Sequence, residues 1–568
     1  MAYNILGISV GHNASASLIS DGTLIYYLEE ERLSKEKRDG NPFRVIIDIC
    51  SKYKIDELVI TGTNDESEHN KLPWNGENVY YSLVRKFYPK VKLFLLNHQH
   101  HLTHAFCAYT NSGFKEASVI VIDGAGSKTL KKHQNVLGEP SLDYWESESI
   151  YKFTSSSFPK IIYKKYTGNN SPRVIEETNH YNDAISIGKS YEAVTMYLGW
   201  HPIEGGKTMG LAPYGKENPN IPPLFINNIG NRNIFIPRYP FSAEIDTTNN
   251  PFLKQYRQSK EWHNNPKNLS QIEADLAWHI QRDTQNEVSF LIENTVKLTN
   301  NKNICIVGGY GLNCVSNYWL KKKFPNLNIY QEPIAHDGGT SIGAAYTRWL
   351  EYSKELPTKK LTSLYLGPKY NLKIIKQKIN NNMFNQIKTT PQEVAKLISE
   401  RNIVCIFQGR SEAGPRALGN RSILYDPTDP NGKDFVNKVK KREWFRPFAG
   451  TVLLEKANEW FDMAGLKESP FMMYAMDVWP DKQEIIKAIT HVDGTCRIQT
   501  VTEEQNPHYY KLIQEFEKIT GVPILFNTSF NLAGDPLVET IEDAMDTLLK
   551  SEMKYLYLPE LEMLLEKK

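Results

Sequence analysis

The chain has 568 residues, too many for one hydrophobic core, so about three or four modules are expected. Its 67 Lys and Arg against 65 Asp and Glu leave a net charge of +2, which argues against an extended nucleic-acid surface. No run approaches the roughly 20 apolar residues of a membrane span, residues 1–10 lack the basic start of a signal peptide, and six scattered cysteines without a CxxC read as reduced thiols in a cytoplasmic protein.

Residues 3–34 (YNILGISVGHNASASLISDGTLIYYLEEERLS) predict strand, glycine turn, strand, Asp-Gly turn and strand. Asp21-Gly22 between alternating apolar runs is the hairpin signal. The first turn, Gly11-His12-Asn13-Ala14-Ser15-Ala16, has small residues that would let a phosphate reach backbone N–H groups. His12 sits there with a polar tip free to act. Helix and strand signals then alternate: helix over 43–53, strand over 57–61, helix over 80–87, strand over 92–96. Four of the 14 histidines follow within 95–109 (LLNHQHHLTHAFCAY), where a helix is expected over 101–109. Residues four apart share a helix face, so His100 and His104 can offer two imidazoles to one metal ion. Imidazole suits Zn, Fe, Cu or Ni alike. Histidines satisfied by water or backbone are the alternative, and carboxylates from elsewhere must decide.

The strand in 117–129 (ASVIVIDGAGSKT) is apolar throughout, as in a strand buried on both faces, and ends in Asp123 before glycines. It matches 5–15 in pattern, suggesting two halves of an internal duplication. Residues 128–185 predict strands and loops, and 187–200 a helix. Residues 204–218 (EGGKTMGLAPYGKEN) read as a glycine-rich loop around Lys207, suited to cradle an anion or simply constrained. The loop-rich 216–270 is a reasonable place for acceptor recognition. A helix is expected over 271–298. In 303–317 (NICIVGGYGLNCVSN) a buried strand breaks into Gly308 and Gly309, with Asn313 at the next helix start. Residues 328–351 repeat the pattern, and Asp337 before Gly338-Gly339 is a second carboxylate at a strand-to-helix turn.

Residues 351–366 turn charged and Pro/Ser/Thr-spotted, as at a domain junction. Helices to Asn385 and over 391–401 follow, then a strand over 403–410. Across 408–450, Arg410, Arg416, Arg421, Lys440, Lys441, Arg442 and Arg446 are interleaved with Gly and Pro rather than laid along one helix face. Guanidinium forks match phosphate oxygens and Lys adds a point charge. The set suits a pocket for a small, highly anionic ligand, with a solvated basic face as the alternative. Arg497 on an alternating strand, and Asn527, Ser529 and Asn531 after an apolar one, are further candidates for pocket lining.

The segments GHNASA (11–16), HHLTHA (100–105), IDGAG (122–126), GKTMGLAPYG (206–215), GGYGLNCVSN (308–317), AHDGGTSIGAA (335–345), GRSEAGPRALGNRSILYDP (409–427), REWFRPFA (442–449), HVDGTCRIQTV (491–501) and FNTSFN (526–531) resemble those of the NodU/CmcH-type O-carbamoyltransferases, in that family's order and over nearly the whole chain. Residues 410–427 are the most specific part. The resemblance implies an α/β and α+β chain of two modules. Residues 1–355 would be a TsaD-like domain with the duplicated actin-like ATPase (ASKHA) fold, and 365–568 a YrdC-like α/β domain. The second would make carbamoyl-adenylate from carbamoyl phosphate and ATP with Mg2+. The first would pass the carbamoyl group to an acceptor hydroxyl and release AMP.

By the same resemblance His100, His104, Asp123 and Asp337 would hold a metal, iron as Fe2+, with Zn2+ or Mn2+ also suited to two His and two Asp. His12 would be the base for the acceptor hydroxyl. Gly309, Gly311 and Asn313 would form the nucleotide-contacting turn, where Tyr310 replaces an expected small residue. Lys440 and Arg446 would be catalytic and bind carbamoyl phosphate, together with Arg416, Arg421, Arg497, Asn527 and Ser529. Partners would be small-molecule substrates, with a homodimer as the base-rate expectation. The rival readings are a fused enzyme of tRNA threonylcarbamoyl-adenosine synthesis and a non-catalytic actin-like nucleotide-binding regulator with structural histidines.

Overall fold

Three strands open the chain as an antiparallel meander: β1 (Asn4–Ser9), β2 (Ser15–Ser20) and β3 (Thr23–Glu29). Asp21 and Gly22, between β2 and β3, both take positive φ, 45° and 78°, as the predicted Asp-Gly hairpin turn requires. The computed structural model describes residues 2–63, 70–73, 75–129, 144–168, 174–182, 186–221, 224–225, 235–239, 242–245 and 269–568. Most of 216–270, the place expected for acceptor recognition, therefore lies outside the described residues. After the short α1 (Glu30–Ser34) come α2 (Phe43–Cys50), β4 (Glu57–Thr61), α3 (Val79–Phe87), β5 (Lys92–Leu96) and α4 (His100–Ser112). β4 and β5 join β1 in parallel, giving the order β3-β2-β1-β4-β5.

The next stretch builds the same thing again. β6 (Glu116–Ile122), β7 (Trp145–Thr154) and β8 (Ser157–Thr167) form a second meander, extended by the small β9 (Val174–Glu176) and β10 (Asn179–Asn182). Helices α5 (Ile187–Tyr197) and α6 (Gly205–Leu211), the hairpin of β11 (Phe235–Tyr239) and β12 (Ser242–Ile245), and the 29-residue α7 (Gln271–Thr299) follow. Then β13 (Asn303–Val307), α8 (Cys314–Lys323), β14 (Asn328–Gln331) and α9 (Thr340–Ser353) complete the half. The sheet order is β14-β13-β6-β7-β8-β10-β9, with β13 parallel to β6 and β14. Within it the order β8-β7-β6-β13-β14 repeats β3-β2-β1-β4-β5, so the duplication read from two short motifs is present in the topology.

The closing helices of the two halves are exchanged. α4, from the first half, packs on β6, β7 and β13; α9, from the second, packs on β1, β2 and β4; and the two helices pack on each other. Their crossing is close. A Cβ on Gly343 would run into the Thr103 carbonyl oxygen, and one on Gly7 into the Ser341 carbonyl oxygen. These contacts draw the start of α4, the start of α9 and the ends of β1 and β6 together.

Two local expectations change. Residues 202–214 are not a loop but a run of helical turns, Pro202–Glu204, Gly205–Leu211 and Ala212–Tyr214, with Lys207 paired to Glu204 at 3.0 Å. Asp337 does not end a buried strand: it lies six residues beyond Gln331 and opens the one-turn Asp337–Gly339 that leads into α9.

The chain divides into two compact units, Met1–Glu30 with Arg38–Thr362, and Glu31–Lys37 with Ser363–Lys568. The break at Thr362 falls within the charged stretch 351–366. The seven residues 31–37, expected in the first module, group instead with the second unit, because Arg32 is buried there with its Nη2 on the Gly414 carbonyl at 2.8 Å and Lys35 pairs with Asp543. This second unit contains α10 (Leu372–Lys378), β15 (Phe384–Lys388), α11 (Pro391–Ser399), β16 (Val404–Phe407), β17 (Arg421–Tyr425), α12 (Gly432–Lys440), β18 (Ala449–Leu453), α13 (Ala457–Trp460), β19 (Ala475–Asp477), β20 (Thr495–Val501), α14 (Pro507–Thr520), β21 (Ile524–Ser529), α15 (Ile541–Leu549), β22 (Tyr555–Leu558) and β23 (Met563–Lys567). Its strands form one mixed sheet in the order β15-β23-β22-β16-β17-β21-β18-β20-β19. The helix expected up to Asn385 stops at Lys378, since Phe384–Lys388 pairs with the terminal strand. No helix among the described residues is long and apolar enough to cross a membrane.

Gly343→Ala is expected to cost about 1–3 kcal/mol by overpacking the α4–α9 crossing. Urea denaturation of the whole chain measures it, and a stability equal to the parent's would mean that the crossing has room to spare.

Candidate metal centre and anion site

Helix α4 is buried along all 13 residues although it carries three histidines, two threonines, an asparagine and a serine. Buried polar groups need partners, and the second half of the duplication supplies them. Gln99 gives no side-chain cap. Instead Ser127 Oγ accepts from the His100 N–H at 3.1 Å, and Glu146 Oε2 from the His101 N–H at 3.3 Å. The imidazoles of His100 and His104, one turn apart, emerge on the same face with their Nε2 atoms 3.1 Å apart.

Asp123 and Asp337 close on that face. His100 Nε2 lies 3.5 Å from Asp123 Oδ2 and 3.6 Å from Asp337 Oδ1, and His104 Nε2 lies 3.5 Å from the same Asp337 Oδ1. One ligand atom from each of the four residues falls within 4.8 Å of the others. Atoms bound about 2.0–2.2 Å from a shared ion sit roughly 3.0–3.6 Å apart; the His–His and His–Asp separations above fall in that range, and the donor types suit a divalent cation. Iron, zinc and manganese all accept two imidazoles with two carboxylates. Asp123 is aimed by its neighbours: the Gly309 N–H donates to its Oδ1 at 3.1 Å.

Charge explains how four such groups can share a buried space. Burial works against an imidazolium at His100, yet Asp337 and Asp123 together lift its pKa to about 10. Burial likewise opposes ionised carboxyls, but the His100 hydrogen bond takes Asp123 down to about 2, and His12 and His100 hold Asp337 well below the usual carboxylate range. The proton on His100 thus stands in for a cation.

His12, in the turn after β1, places Nδ1 3.5 Å from Asp337 Oδ2 with its side chain 49% exposed, so its other nitrogen is free to face a substrate. The other two histidines of the cluster are turned to different work. His98 Nδ1 is 3.1 Å from the Lys128 carbonyl, and His101 Nδ1 is 2.8 Å from Ser149 Oγ, with burial pushing its pKa down to about 4. Tyr310 does not intrude where a small residue was expected, because its hydroxyl donates inward to Thr284 and Ser316 at 3.0 and 3.2 Å. Asn313 caps α8 by accepting from the Ser316 N–H at 3.0 Å and exchanges bonds with Gln281, so its side chain is already engaged. Gly311 packs against Ala335.

Sequence reasoning missed the pair of Lys189 and Glu192 on α5. Their charged ends meet at 2.5 Å, and Glu192 Oε1 lies against Gly124, next to Asp123. Burial, only partly offset by Lys189, raises the Glu192 pKa. An i,i+3 Lys-Glu pair is ordinary on a helix, and only the fold brings this one to Asp123.

In the second unit, Lys440 at the end of α12 gathers with Arg442, Arg446 and Arg497. Lys440 is buried and gives its Nζ protons to oxygens of Ser529 and Asn531, including the Asn531 carbonyl at 2.8 Å. Burial, then Arg442 and Arg446, pushes it well below the usual ammonium range. Burial, then Arg446 and Arg497, acts in the same sense on Arg442, which lies over the Phe448 ring at 4.5 Å. The buried Arg497 Nε has no hydrogen-bond partner among the described residues. Cations that repel one another in a desolvated space gain most from an anion. Arg442, one of the basic set read from the sequence but not among the residues carried over by resemblance, belongs to this group.

Two expected pocket residues do other work. Arg421 is fully buried, stacks on Phe407 at 3.7 Å, and donates to the carbonyls of Gln408, Asn420 and Glu539 at 2.6, 3.0 and 3.3 Å. Those carbonyls consume the guanidinium that was expected to bind phosphate. Asn527 is also fully buried, and its amide donates to Ala417, Thr451 and Gln499. Both brace the loop between β16 and β17, as does Glu412, whose Oε1 accepts the N–H groups of Leu418, Asn420 and Arg421. Arg416 lies on that loop, half-buried.

Comparison with known proteins gives a consistent result. A family model described as carbamoyltransferase N-terminus matches residues 74–346, and one described as carbamoyltransferase C-terminus matches 395–566. The chain is 30% identical to an uncharacterized protein of Synechocystis, over 98% of this chain and 95% of that one. It is 30% identical to nodulation protein NolNO of Sinorhizobium fredii, over 95% of this chain and 77% of that one, and 24% identical to nodulation protein U of Bradyrhizobium diazoefficiens, over 93% and 92%. Among solved structures, full-length HypF in its phosphate- and nucleotide-bound form overlaps at a TM-score of 0.35 with 13% identity, covering 62% of this chain and 56% of that one, too slight to carry an argument.

Because His100 keeps its proton up to about pH 10, an ion entering the cluster must displace it. Affinity should therefore fall about tenfold for each pH unit below 10, and loading Zn2+ into metal-free protein at pH 8 in weak buffer should release about one proton per ion, read by a pH indicator. Arg421→Ala should cost about 3 kcal/mol or more, since it strands several buried carbonyls. Urea denaturation checks this, and a loss under about 1 kcal/mol would return Arg421 to the candidates for anion binding.

Proposed function

Since the chain belongs to the carbamoyltransferase family, we propose that it is an ATP-dependent O-carbamoyltransferase acting in two stages, with a TsaD-like transfer module and a YrdC-like adenylate-forming module. The observation that carries the reading is the meeting of His100, His104, Asp123 and Asp337 within 4.8 Å, with His12 beside Asp337. The duplicated β1–β5 and β6–β14 connectivity supports the actin-like assignment of the first module.

In the second unit Lys440, Arg442, Arg446 and Arg497 receive carbamoyl phosphate, with Ser529 beside Lys440 and, by family resemblance, Arg416 as a further ligand. Water attacks carbamoyl phosphate there, giving carbamate, inorganic phosphate and a proton, and a carbamate oxygen then attacks the α-phosphate of Mg2+-bound ATP as its bond to pyrophosphate breaks. The product, carbamoyl-adenylate, has AMP as a good leaving group. Concentrated cationic charge suits both steps, because each develops negative charge on phosphate oxygens.

In the first unit His100, His104, Asp123 and Asp337 hold the metal, iron by family resemblance. A divalent ion there would offset the charge that grows on the adenylate phosphate as AMP departs. His12 turns Nδ1 toward Asp337, which leaves Nε2 to take the proton of the acceptor hydroxyl as its oxygen bonds to the carbamoyl carbon. The bond from that carbon to the phosphate-bearing oxygen breaks, and AMP leaves. Backbone at Gly309 and Gly311 offers close approach to the nucleotide.

The test is release of pyrophosphate from ATP that requires carbamoyl phosphate. Dependence on bicarbonate and threonine instead would favour the tRNA-modifying reading, and no release under either condition a non-catalytic regulator. His104→Ala is expected to lose bound metal and carbamoyl transfer while keeping pyrophosphate release. Full transfer by that variant would remove His104 from the centre.

A further inference from the structure

Among the four clustered ligand candidates, Asp337 differs from the rest because it sits on a one-turn segment rather than on a helix or at a strand end. Something else must hold it still. Its carbonyl lies 2.6 Å from Thr340 Oγ1 and 3.2 Å from Ser9 Oγ, and the Gly338 carbonyl lies 2.7 Å from Ser15 Oγ and 3.0 Å from Ser341 Oγ. Four hydroxyls from β1, β2 and α9 thus pin the two carbonyls of the turn. The turn's N–H is held by a longer arm. The Gly338 N–H donates to His336 Nδ1 at 3.0 Å, and His336 Nε2 lies 3.1 Å from Glu29 Oε1, with both side chains nearly buried. Glu29 also accepts from the Tyr27 hydroxyl at 3.1 Å.

The bonding fixes the ring's tautomer. Nδ1 accepts an N–H, so the proton must be on Nε2, where the Glu29 carboxylate receives it. A carboxylate that fixes an imidazole, which in turn fixes a backbone N–H, is an orienting chain of three rigid groups. The Cβ of any residue replacing Gly338 would strike the Tyr27 hydroxyl and the His336 ring, so the arm fits tightly against the turn. We infer that His336 and Glu29 are positioning residues for Asp337: they set the angle at which its carboxylate faces His100 and His104, and so tune metal affinity without touching the ion. This rests on the reading of Asp337 as a metal ligand.

Partners that orient metal ligands are typically worth about 10–100-fold in affinity. In the full-length protein loaded with Co2+, His336→Phe and Glu29→Leu should each weaken binding by about that factor in chelator competition and shift the visible d–d absorption. His336→Asn should recover most of the loss relative to His336→Phe, because a side-chain amide oxygen can accept the Gly338 N–H in the same capping geometry. A general loss of packing would lower the metal-free thermal midpoint of every variant yet leave the Co2+ spectrum of the bound fraction as it was, and that result overturns the inference. So do affinities within about threefold of the parent in His336→Phe and Glu29→Leu, which lies below the range expected for such partners. If His336→Phe does not fold, Glu29→Leu and His336→Asn decide alone. Failure of the parent itself to bind Co2+ would sink the ligand assignment and this inference with it, a result distinct from normal binding by parent and variants alike.

Discussion

The first unit depends on the crossing of α4 and α9. Each helix closes one half of a duplicated fold and packs on the sheet of the other half, and the two meet where only glycine fits beneath the Thr103 carbonyl. That exchange sets the geometry of the centre. It presents His100 and His104 from the first half to Asp337 at the head of α9 and to Asp123 at the end of β6. His12 and Asp123 occupy matching places, each just past the first strand of its half, and the four clustered residues gather where the two halves face one another. A site built across a repeat in this way cannot assemble from either half alone.

The centre is costly in isolation. Two carboxylates and two imidazoles lie largely out of water, and such groups persist only when paired. A proton on His100 between the two aspartates satisfies them; an ion held there, as proposed, would compete with that proton for the same lone pairs. The surrounding polar groups serve this arrangement: Ser127 and Glu146 cap α4, Gly309 aims Asp123, and Ser9, Ser15, Thr340, Ser341 and His336 hold the Asp337 turn.

The second unit solves an electrostatic problem of the opposite sign. Lys440, Arg442, Arg446 and Arg497 are collected with too little acid to neutralise them; Glu443, on Arg446 at 3.3 Å, is the acidic partner seen within the group. The motif at 408–427 reads as a phosphate-binding loop, but much of it is internal bracing. Arg421 donates to the carbonyls of Gln408 and Asn420, Glu412 accepts the N–H groups of Leu418, Asn420 and Arg421, and together they give the loop a fixed shape. Charged residues of one motif thus divide into those that make the loop and those left to meet a ligand.

Sequence pattern alone determined the opening strands, the Asp-Gly hairpin, the duplication and the placing of His100 and His104 on one helix face, because each depends on local periodicity or on residues one turn apart. The same holds for the family, whose motifs lie along the chain in order. What it did not determine is which charged side chains are spent on the protein itself. Arg421 and Asn527 look like ligand-binding residues until burial shows their donors on backbone carbonyls and neighbouring side chains; Glu192, Glu29 and His336 look ordinary until the fold brings them to the sites. Residues 31–37 fall within the span expected for the first module and belong to the other unit. The reason is common to all of these: hydrogen-bond partners distant in sequence are set by tertiary packing, and the chemical type of a side chain does not say where its partners will be.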